Sequence, residues 1–268
     1  WVEDTNYTIP VDLDGDGTDG RGVKLIEING DGYTDIVKSV NNTRKVYLNK
    51  ADGTGWQEDN NYTVPIQFAG GSNDAYFEKK TSTGDFDGDG LEDLFINRDS
   101  ASEKKVYLNI GEYPGWQEAP NFLVNFEVCY NCYSSSGLRS FDVNGDGLID
   151  FVMSTLDGGD HRWVRINKGD GTGWEIVPTY NIPVYFFTYN HPDNERPGTK
   201  IFDANGDGLS DLIYSNSYDS ANKGVYLNKA DTTGWVKDPA WNVPLSFYYT
   251  SSFGYRAIRT VDVNGDGI

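Results

Sequence analysis

The stretch Asp142-Val143-Asn144-Gly145-Asp146-Gly147-Leu148-Ile149-Asp150 decides how the rest of the chain is read. Oxygen-bearing side chains stand at its positions 1, 3, 5 and 9, and glycines at 4 and 6. It recurs as Glu27, Asn29, Asp31 and Asp35, with Tyr33 at position 7. It recurs again as Asp85, Asp87, Asp89 and Asp93, with Leu91 at position 7, and as Asp203, Asn205, Asp207 and Asp211, with Leu209 there. A fifth copy supplies Asp262, Asn264 and Asp266 before the sequence stops at Ile268. Such a set is a cage for a hard cation. Calcium takes about six to eight oxygens in flexible geometry. Side chains at positions 1, 3, 5 and 9 supply much of that shell, and the carbonyl of position 7 (Tyr33, Leu91, Leu148, Leu209) with water supplies the rest. The glycine at 6 lets the backbone turn through positive φ at little steric cost. Calcium in four complete loops, with a fifth truncated, is the expected cofactor. A helix–loop–helix calcium site would need Glu at position 12, where this chain has Lys38, Ile96, Met153 and Tyr214. Metal-free Asp/Asn/Gly turns would explain one copy, but four in phase favour the cation.

The phase is regular. Loops start at residues 27, 85, 142, 203 and 262, a period of 57 to 61 residues. About twenty residues after each complete loop starts comes a Val-Tyr-Leu-Asn segment, Val-Arg-Ile-Asn in the third copy, ending at Asn49, Asn109, Asn167 or Asn228. A Gly-Trp pair follows at Trp56, Trp116, Trp174 and Trp235, and Trp1 fits the same position. An aromatic residue then precedes a proline-containing segment: Tyr7, Tyr62, Phe122, Tyr180 and Trp241. A fixed period of this length marks a repeat architecture.

One repeat reads as four strands. Strand A runs into the acidic loop (23–27, 138–142, 200–203, 257–262). Strand B leaves it (35–40, 93–97, 150–154, 211–215), apolar and β-branched. Strand C is the alternating Val-Tyr-Leu-Asn segment. Strand D is expected after the Trp and the aromatic, at 64–68, 124–128, 182–186 and 243–247. Short connections rich in Gly, Asp, Asn and Ser suit tight antiparallel hairpins. The expected fold is all-β: a β-propeller of four-stranded antiparallel blades, four full repeats plus a partial one. Residues 1–268 read as a single array, incomplete at both ends, that continues into further repeats or domains of the same polypeptide.

Composition narrows the partners. The 268 residues carry 41 acids against 22 bases, a formal charge of −19. Nucleic-acid binders need a basic stripe, and an anionic membrane surface repels such a chain. No apolar run approaches the ~18 residues of a membrane span. The ligand positions of the five loops hold 15 of the 41 acids, so much of the charge is assigned to metal. Cys129 and Cys132 are too isolated for a zinc site, and His161 and His191 are remote from them. A local disulfide or two plain thiols both fit.

The motif D-x-[ND]-G-D-G-x-x-D followed by an apolar strand resembles the FG-GAP/VCBS repeat family, which includes the integrin α-subunit propeller. The Val-Tyr-Leu-Asn and Gly-Trp continuation is similar to such repeats in bacterial surface and toxin-complex proteins. The resemblance covers the whole chain. It implies calcium in the A–B loops and a propeller of about seven or eight blades. It implies no single function, because the fold hosts adhesion, sugar binding and occasionally polysaccharide lyase activity.

Strand alternation puts the acidic loops and the Gly-Trp turns on one face, and the B–C and D–A connections on the other. The first face barely changes between copies. The second varies and carries Tyr76, Phe77, Tyr130, Tyr133, Tyr189, His191, Tyr248, Tyr249, Phe253 and Tyr255 among Ser, Asn and Gly. Rigid aromatics with small polar residues suit recognition. The recurrent tryptophans suit packing between blades. Asn6, Asn41 and Asn61 head glycosylation sequons. A further acidic stretch at 12–19 is out of phase with the loops. No nucleophile–base pair is present, so no catalytic residues are expected. The expected function is a calcium-stabilised extracellular or cell-surface binding or adhesion module, recognising a glycan or a protein through the variable face. The alternative is a scaffold or spacer segment of a large surface, filament or toxin protein. A polysaccharide lyase is a third reading, against which the charge of −19 weighs because it repels acidic sugars.

Overall fold

Strands that leave the acidic loops are buried along both faces, which explains why they read as continuous apolar runs. Asp35–Val40 and Asp93–Asn97 are almost wholly buried, as is Asp211–Tyr214. Each is flanked on both sides in its sheet. The computed structural model describes residues 5, 7–11, 22–69, 81–97, 104–126, 137–156, 159–188, 198–216, 219–229, 231–244 and 247. Within them β1 (Val23–Ile26), β2 (Asp35–Val40), β3 (Thr43–Asn49) and β4 (Trp56–Asp59) pair antiparallel in chain order. So do β5 (Thr81–Gly84), β6 (Asp93–Asn97), β7 (Lys104–Asn109) and β8 (Trp116–Glu118). The third sheet joins β9 (Leu138–Phe141), β10 (Asp150–Leu156), β11 (Asp160–Asn167) and β12 (Trp174–Ile176), with β13 (Phe187–Thr188) added parallel to β10. The fourth joins β14 (Thr199–Phe202), β15 (Asp211–Tyr214), β16 (Gly224–Asn228) and β17 (Trp235–Asp238). Each sheet contains the four-stranded antiparallel blade of a β-propeller, and the described residues hold no helix. Two compact units result. One holds the first two blades with the turn Gly169–Gly173, and the other holds the third and fourth blades.

The fourth strand of each blade is not where the apolar pattern put it. It starts at the tryptophan itself, with Asn49 opposite Trp56, Asn109 opposite Trp116, Asn167 opposite Trp174 and Asn228 opposite Trp235. These outer strands are short and partly charged, as in Trp56-Gln57-Glu58-Asp59. Exposed sheet edges favour that chemistry because it discourages pairing with other chains. It also hides them from a search for apolar alternation. Strand β5, Thr-Ser-Thr-Gly, has no apolar side chain and so gives no alternation signal either.

Two of the segments expected as strand D, 64–68 and 182–186, are buried connectors, and the other two, 124–128 and 243–247, lie partly outside the described residues. Val64, Ile66 and Phe68 alternate inward, as Ile182, Val184 and Phe186 do. Yet their backbones touch a sheet only at isolated points. Ser39 Oγ donates to the Ile66 carbonyl at 2.6 Å and the Phe68 amide returns a bond to the Ser39 carbonyl at 2.9 Å. Ser154 holds Val184 and Phe186 identically, at 2.7 and 2.8 Å. The alternation was correctly seen. It arises because the connector lies between two sheets and fills the gap from both sides. In the first unit its side chains join Val37 and Val46 of one blade to Leu94, Ile96 and Trp116 of the next. In the second unit the matching set joins Val152 and Val164 to Leu212, Tyr214 and Trp235.

The Gly-Trp pair closes this arrangement. The connector forms parallel bridges Thr8–Gly55, Thr63–Gly115, Leu123–Gly173 and Asn181–Gly234. A Cβ on Gly55 would meet the Thr8 carbonyl oxygen at 2.7 Å, and Gly55 has φ of 104°. Both facts exclude other residues. The tryptophan then packs on the aromatic of the preceding repeat, with ring centroids 5.0 Å apart for Tyr7–Trp56 and 5.1 Å for Tyr180–Trp235. Its indole Nε1 donates to the end of the acidic loop in its own blade: Trp56 to Thr34, Trp116 to Glu92, Trp174 to Ile149 and Trp235 to Ser210, at 2.8–2.9 Å. The acidic loops and Gly-Trp turns therefore share one end of each blade, as alternation required.

A connector in the core and an outer strand at the edge respond differently to truncation. Phe68→Ala should cost about 3–5 kcal/mol, while Ile176→Ala, on an edge strand at 52% exposure, should stay within about 0.5 kcal/mol. Urea unfolding measures both. Comparable small losses would mean that the 64–68 segment is not a core element.

Candidate metal centre

Each acidic loop is wound by its own side chains. At position 1, Asp85 accepts from the Gly88 and Gly90 amides at 2.6 and 2.9 Å. Asp142 accepts from Gly145 and Gly147 at 2.7 and 2.8 Å, and Asp203 from Gly206 and Gly208 at the same distances. At position 3, Asn29, Asp87, Asn144 and Asn205 each accept from the amide of position 5. At position 5, Asp31, Asp89, Asp146 and Asp207 accept from the amides of Tyr33, Leu91, Leu148 and Leu209 at 2.8–2.9 Å. The position-6 glycines Gly32, Gly90, Gly147 and Gly208 have φ of 81–87°, and a Cβ there would meet nothing within 4 Å. Glycine is needed there for its torsion and not for space.

The position-9 carboxylates are built differently. Asp35, Asp93, Asp150 and Asp211 are fully buried. One oxygen of each accepts from the amide of position 2: Ile28, Phe86, Val143 and Ala204, at 2.8–3.1 Å. The other accepts from the Asn that ends the third strand: Asn49, Asn109, Asn167 and Asn228, at 2.7–2.8 Å. One side chain thus pins the start of its loop and the far end of the hairpin. Burial pushes Asp35 up to about 6, Asp150 to about 7 and Asp93 to about 8. The two backbone donors oppose that rise, and the neighbouring loop carboxylates add to it. Burial raises Asp211 in the same way.

Two observations test whether a cation fits. Glu27, the only Glu at position 1, uses Oε1 for the Asn29 and Gly30 amides, while its Oε2 is buried with no hydrogen-bond partner. In the second loop, oxygens of Asp85, Asp87 and Asp89 lie within 4.8 Å of one another. Burial and then the Asp89 charge raise Asp87. A hard divalent ion satisfies both the orphaned oxygen and the crowded charges. The loops are not equal, however. In the other three the Asn at position 3 turns its Nδ2 onto the position-5 carboxylate: Asn29 to Asp31, Asn144 to Asp146 and Asn205 to Asp207, at 2.9–3.1 Å. Among the described residues, only the second loop, with Asp87, brings three carboxylates this close together.

The loop residues lie together at the turn between the first two strands of each described blade, and the sequence reading does not anticipate the asparagine that each position-9 carboxylate holds. The recurring Val-Tyr-Leu-Asn segment carried that signal. Asp262, Asn264 and Asp266 of the fifth loop, the 12–19 stretch, Cys129 and Cys132 lie outside the described residues. So do Tyr76, Phe77, Tyr130, Tyr133, Tyr189, His191, Tyr248, Tyr249, Phe253 and Tyr255. Asn41 has φ of 51° in the β2–β3 turn, so the turn itself has a use for it.

These blades and loops define a β-propeller repeat protein with an acidic loop between the first two strands of each blade. Residues 28–96 match the FG-GAP-like repeat, and the other copies share its loop and strand order. Integrin alpha pat-2 of Caenorhabditis briggsae is 26% identical over 212 residues, which cover 70% of this chain and 17% of that protein. The chain thus matches under a fifth of the relative's length. Among solved structures, an Agrocybe aegerita lectin that recognises non-reducing terminal N-acetylglucosamine is similar at a TM-score of 0.52 and 19% identity. That likeness covers 79% of this chain and 49% of the lectin chain, and it concerns the fold.

The buried position-9 carboxylates frame the blade, while, among the described residues, those at positions 1 and 5 bond only within their own loop. In chelator, Asp93→Ala should cost about 2–5 kcal/mol, because two buried amides lose their acceptor. Asp89→Ala in chelator should stay within about 0.5 kcal/mol of the parent. Equal losses in urea unfolding would make position 5 part of the frame as well.

Proposed function

We propose that this chain is a calcium-stabilised binding module of an extracellular or cell-surface protein. The carrying observation is the pair of cation-shaped features at positions 1, 3 and 5: the orphaned Glu27 Oε2 and the Asp85–Asp87–Asp89 group. Calcium would be held by Glu27, Asn29, Asp31 and Asp35; by Asp85, Asp87, Asp89 and Asp93; by Asp142, Asn144, Asp146 and Asp150; and by Asp203, Asn205, Asp207 and Asp211. The carbonyls of Tyr33, Leu91, Leu148 and Leu209 complete the shells, and Asp262, Asn264 and Asp266 begin a fifth. The position-9 carboxylates can serve both frame and ion, since an ionised carboxylate offers about four lone pairs and the frame uses two. Millimolar calcium is extracellular chemistry, and the integrin-like match supports the same location.

Binding itself is assigned to the face opposite the metal loops. The loops that would hold calcium repeat with little change, which suits a support, while the opposite connections vary. The ligand is a glycan or a protein. The lectin of similar fold makes glycans ending in N-acetylglucosamine the first class to try.

Calcium should raise the melting temperature, chelator should reverse the rise, and magnesium should do less because it demands stricter octahedral geometry. One hundredfold excess over the dissociation constant stabilises by about 2.7 kcal/mol per site. A glycan array run with calcium and with chelator tests the binding reading. Specific, chelator-sensitive spots that vanish in the triple variant Tyr133→Ala, Tyr189→Ala, Tyr249→Ala, with an unchanged melting temperature, are the expected outcome. Calcium-dependent stability with no glycan or protein ligand would favour the scaffold or spacer reading.

A further inference from the structure

We infer that neighbouring metal loops within each unit are energetically coupled, so that calcium in one loop raises the affinity of the next. The inference rests on the calcium reading above and goes beyond it to how the sites act together.

A buried relay links the two loops of the first unit. Asp35 accepts from the Ile28 amide at 3.1 Å. The carbonyl of the same residue accepts from Asn109 Nδ2 at 2.8 Å. The Asn109 amide in turn donates to Asp93 at 2.7 Å. Asp35, Ile28, Asn109 and Asp93 are all buried. Three hydrogen bonds thus join the position-9 carboxylates of loops one and two. The second unit repeats the relay: Val143 amide to Asp150 at 2.9 Å, Asn228 Nδ2 to the Val143 carbonyl at 2.7 Å, and Asn228 amide to Asp211 at 2.8 Å. Tyr180 Oη locks the orientation by donating to Asn228 Oδ1 at 2.8 Å.

A second contact runs beside the first. Leu91, at position 7 of loop two, lies against position 4 of loop one, where a Cβ on Gly30 would sit 3.4 Å from Leu91 Cδ2. The next residue, Glu92, donates its amide to the Glu27 carbonyl at 3.3 Å. In the second unit Leu209 lies against Gly145 in the same way, at 3.0 Å. Position 7 is where a loop offers its carbonyl to the ion, so ordering that residue orders the neighbour's first turn. Coupling needs both sites to bias one shared element. Here the shared elements are Asn109 with Leu91, and Asn228 with Leu209.

Amide NMR of the full chain during a calcium titration gives one reporter per site: Gly32, Gly90, Gly147 and Gly208. The double change Asp85→Ala, Asp89→Ala disables loop two. It should weaken calcium binding at Gly32 by about tenfold, within the usual range of coupling between sites. The Gly32 midpoint of the parent is the reference. In an Asn109→Asp background, which keeps size and backbone amide but removes the Nδ2 donor, the same lesion should shift Gly32 much less. A Gly32 midpoint indifferent to the loop-two lesion overturns coupling while leaving the calcium reading intact. No calcium shift at any loop glycine of the parent overturns both. Should Asn109→Asp fail to fold, the loop-two lesion alone, referenced to the parent's Gly32 midpoint, still decides the question.

Discussion

A carboxylate buried between two backbone amides is the constraint on which each blade depends. Asp35, Asp93, Asp150 and Asp211 reach from the end of the acidic loop to its second residue and to the end of the third strand. Burying an ionised carboxylate is costly unless it is fully hydrogen-bonded. These four are bonded, yet Asp35, Asp93 and Asp150 are still pushed up toward neutrality by desolvation and by the carboxylates beside them. The frame of the blade and the electrostatic problem of the loop are thus one feature. A cation at positions 1, 3 and 5 would relieve the second without disturbing the first.

From that latch the rest of the repeat follows. Fixing the loop fixes where the tryptophan indole can donate, and the Gly-Trp turn sets where the connector of the preceding repeat can approach. The connector then fills the gap between sheets with Tyr62, Val64, Ile66 and Phe68, or with Tyr180, Ile182, Val184 and Phe186. An isolated blade would leave that apolar row exposed, which is why repeats of this kind are stable only in stacks. The same stacking brings one loop's Asn partner under the carbonyl of its neighbour.

Much of this was legible in residue order. Acids and glycines repeated at one spacing marked the acidic loop that joins the first two strands of each blade. The period named the propeller. Strand β2 and its equivalents were legible because both their faces are covered. The outer strands were not: Gln57 and Glu58 on β4 carry no apolar signal, since an edge has only one neighbour and faces water. The connectors misled because alternation reports two buried sides, and a chain lying between two sheets has them as surely as a strand within one.

Sequence alone determined which residues recur and in what phase, and hence the blade, the loop and the candidate ligands. Tertiary structure decided which carboxylates frame the blade, and how one loop reaches the next within each unit. The physical reason is distance along the chain. A contact such as Asn109 with Ile28, or Asn228 with Val143, joins residues more than eighty apart. No local pattern records a bond whose partners meet only once two blades have stacked.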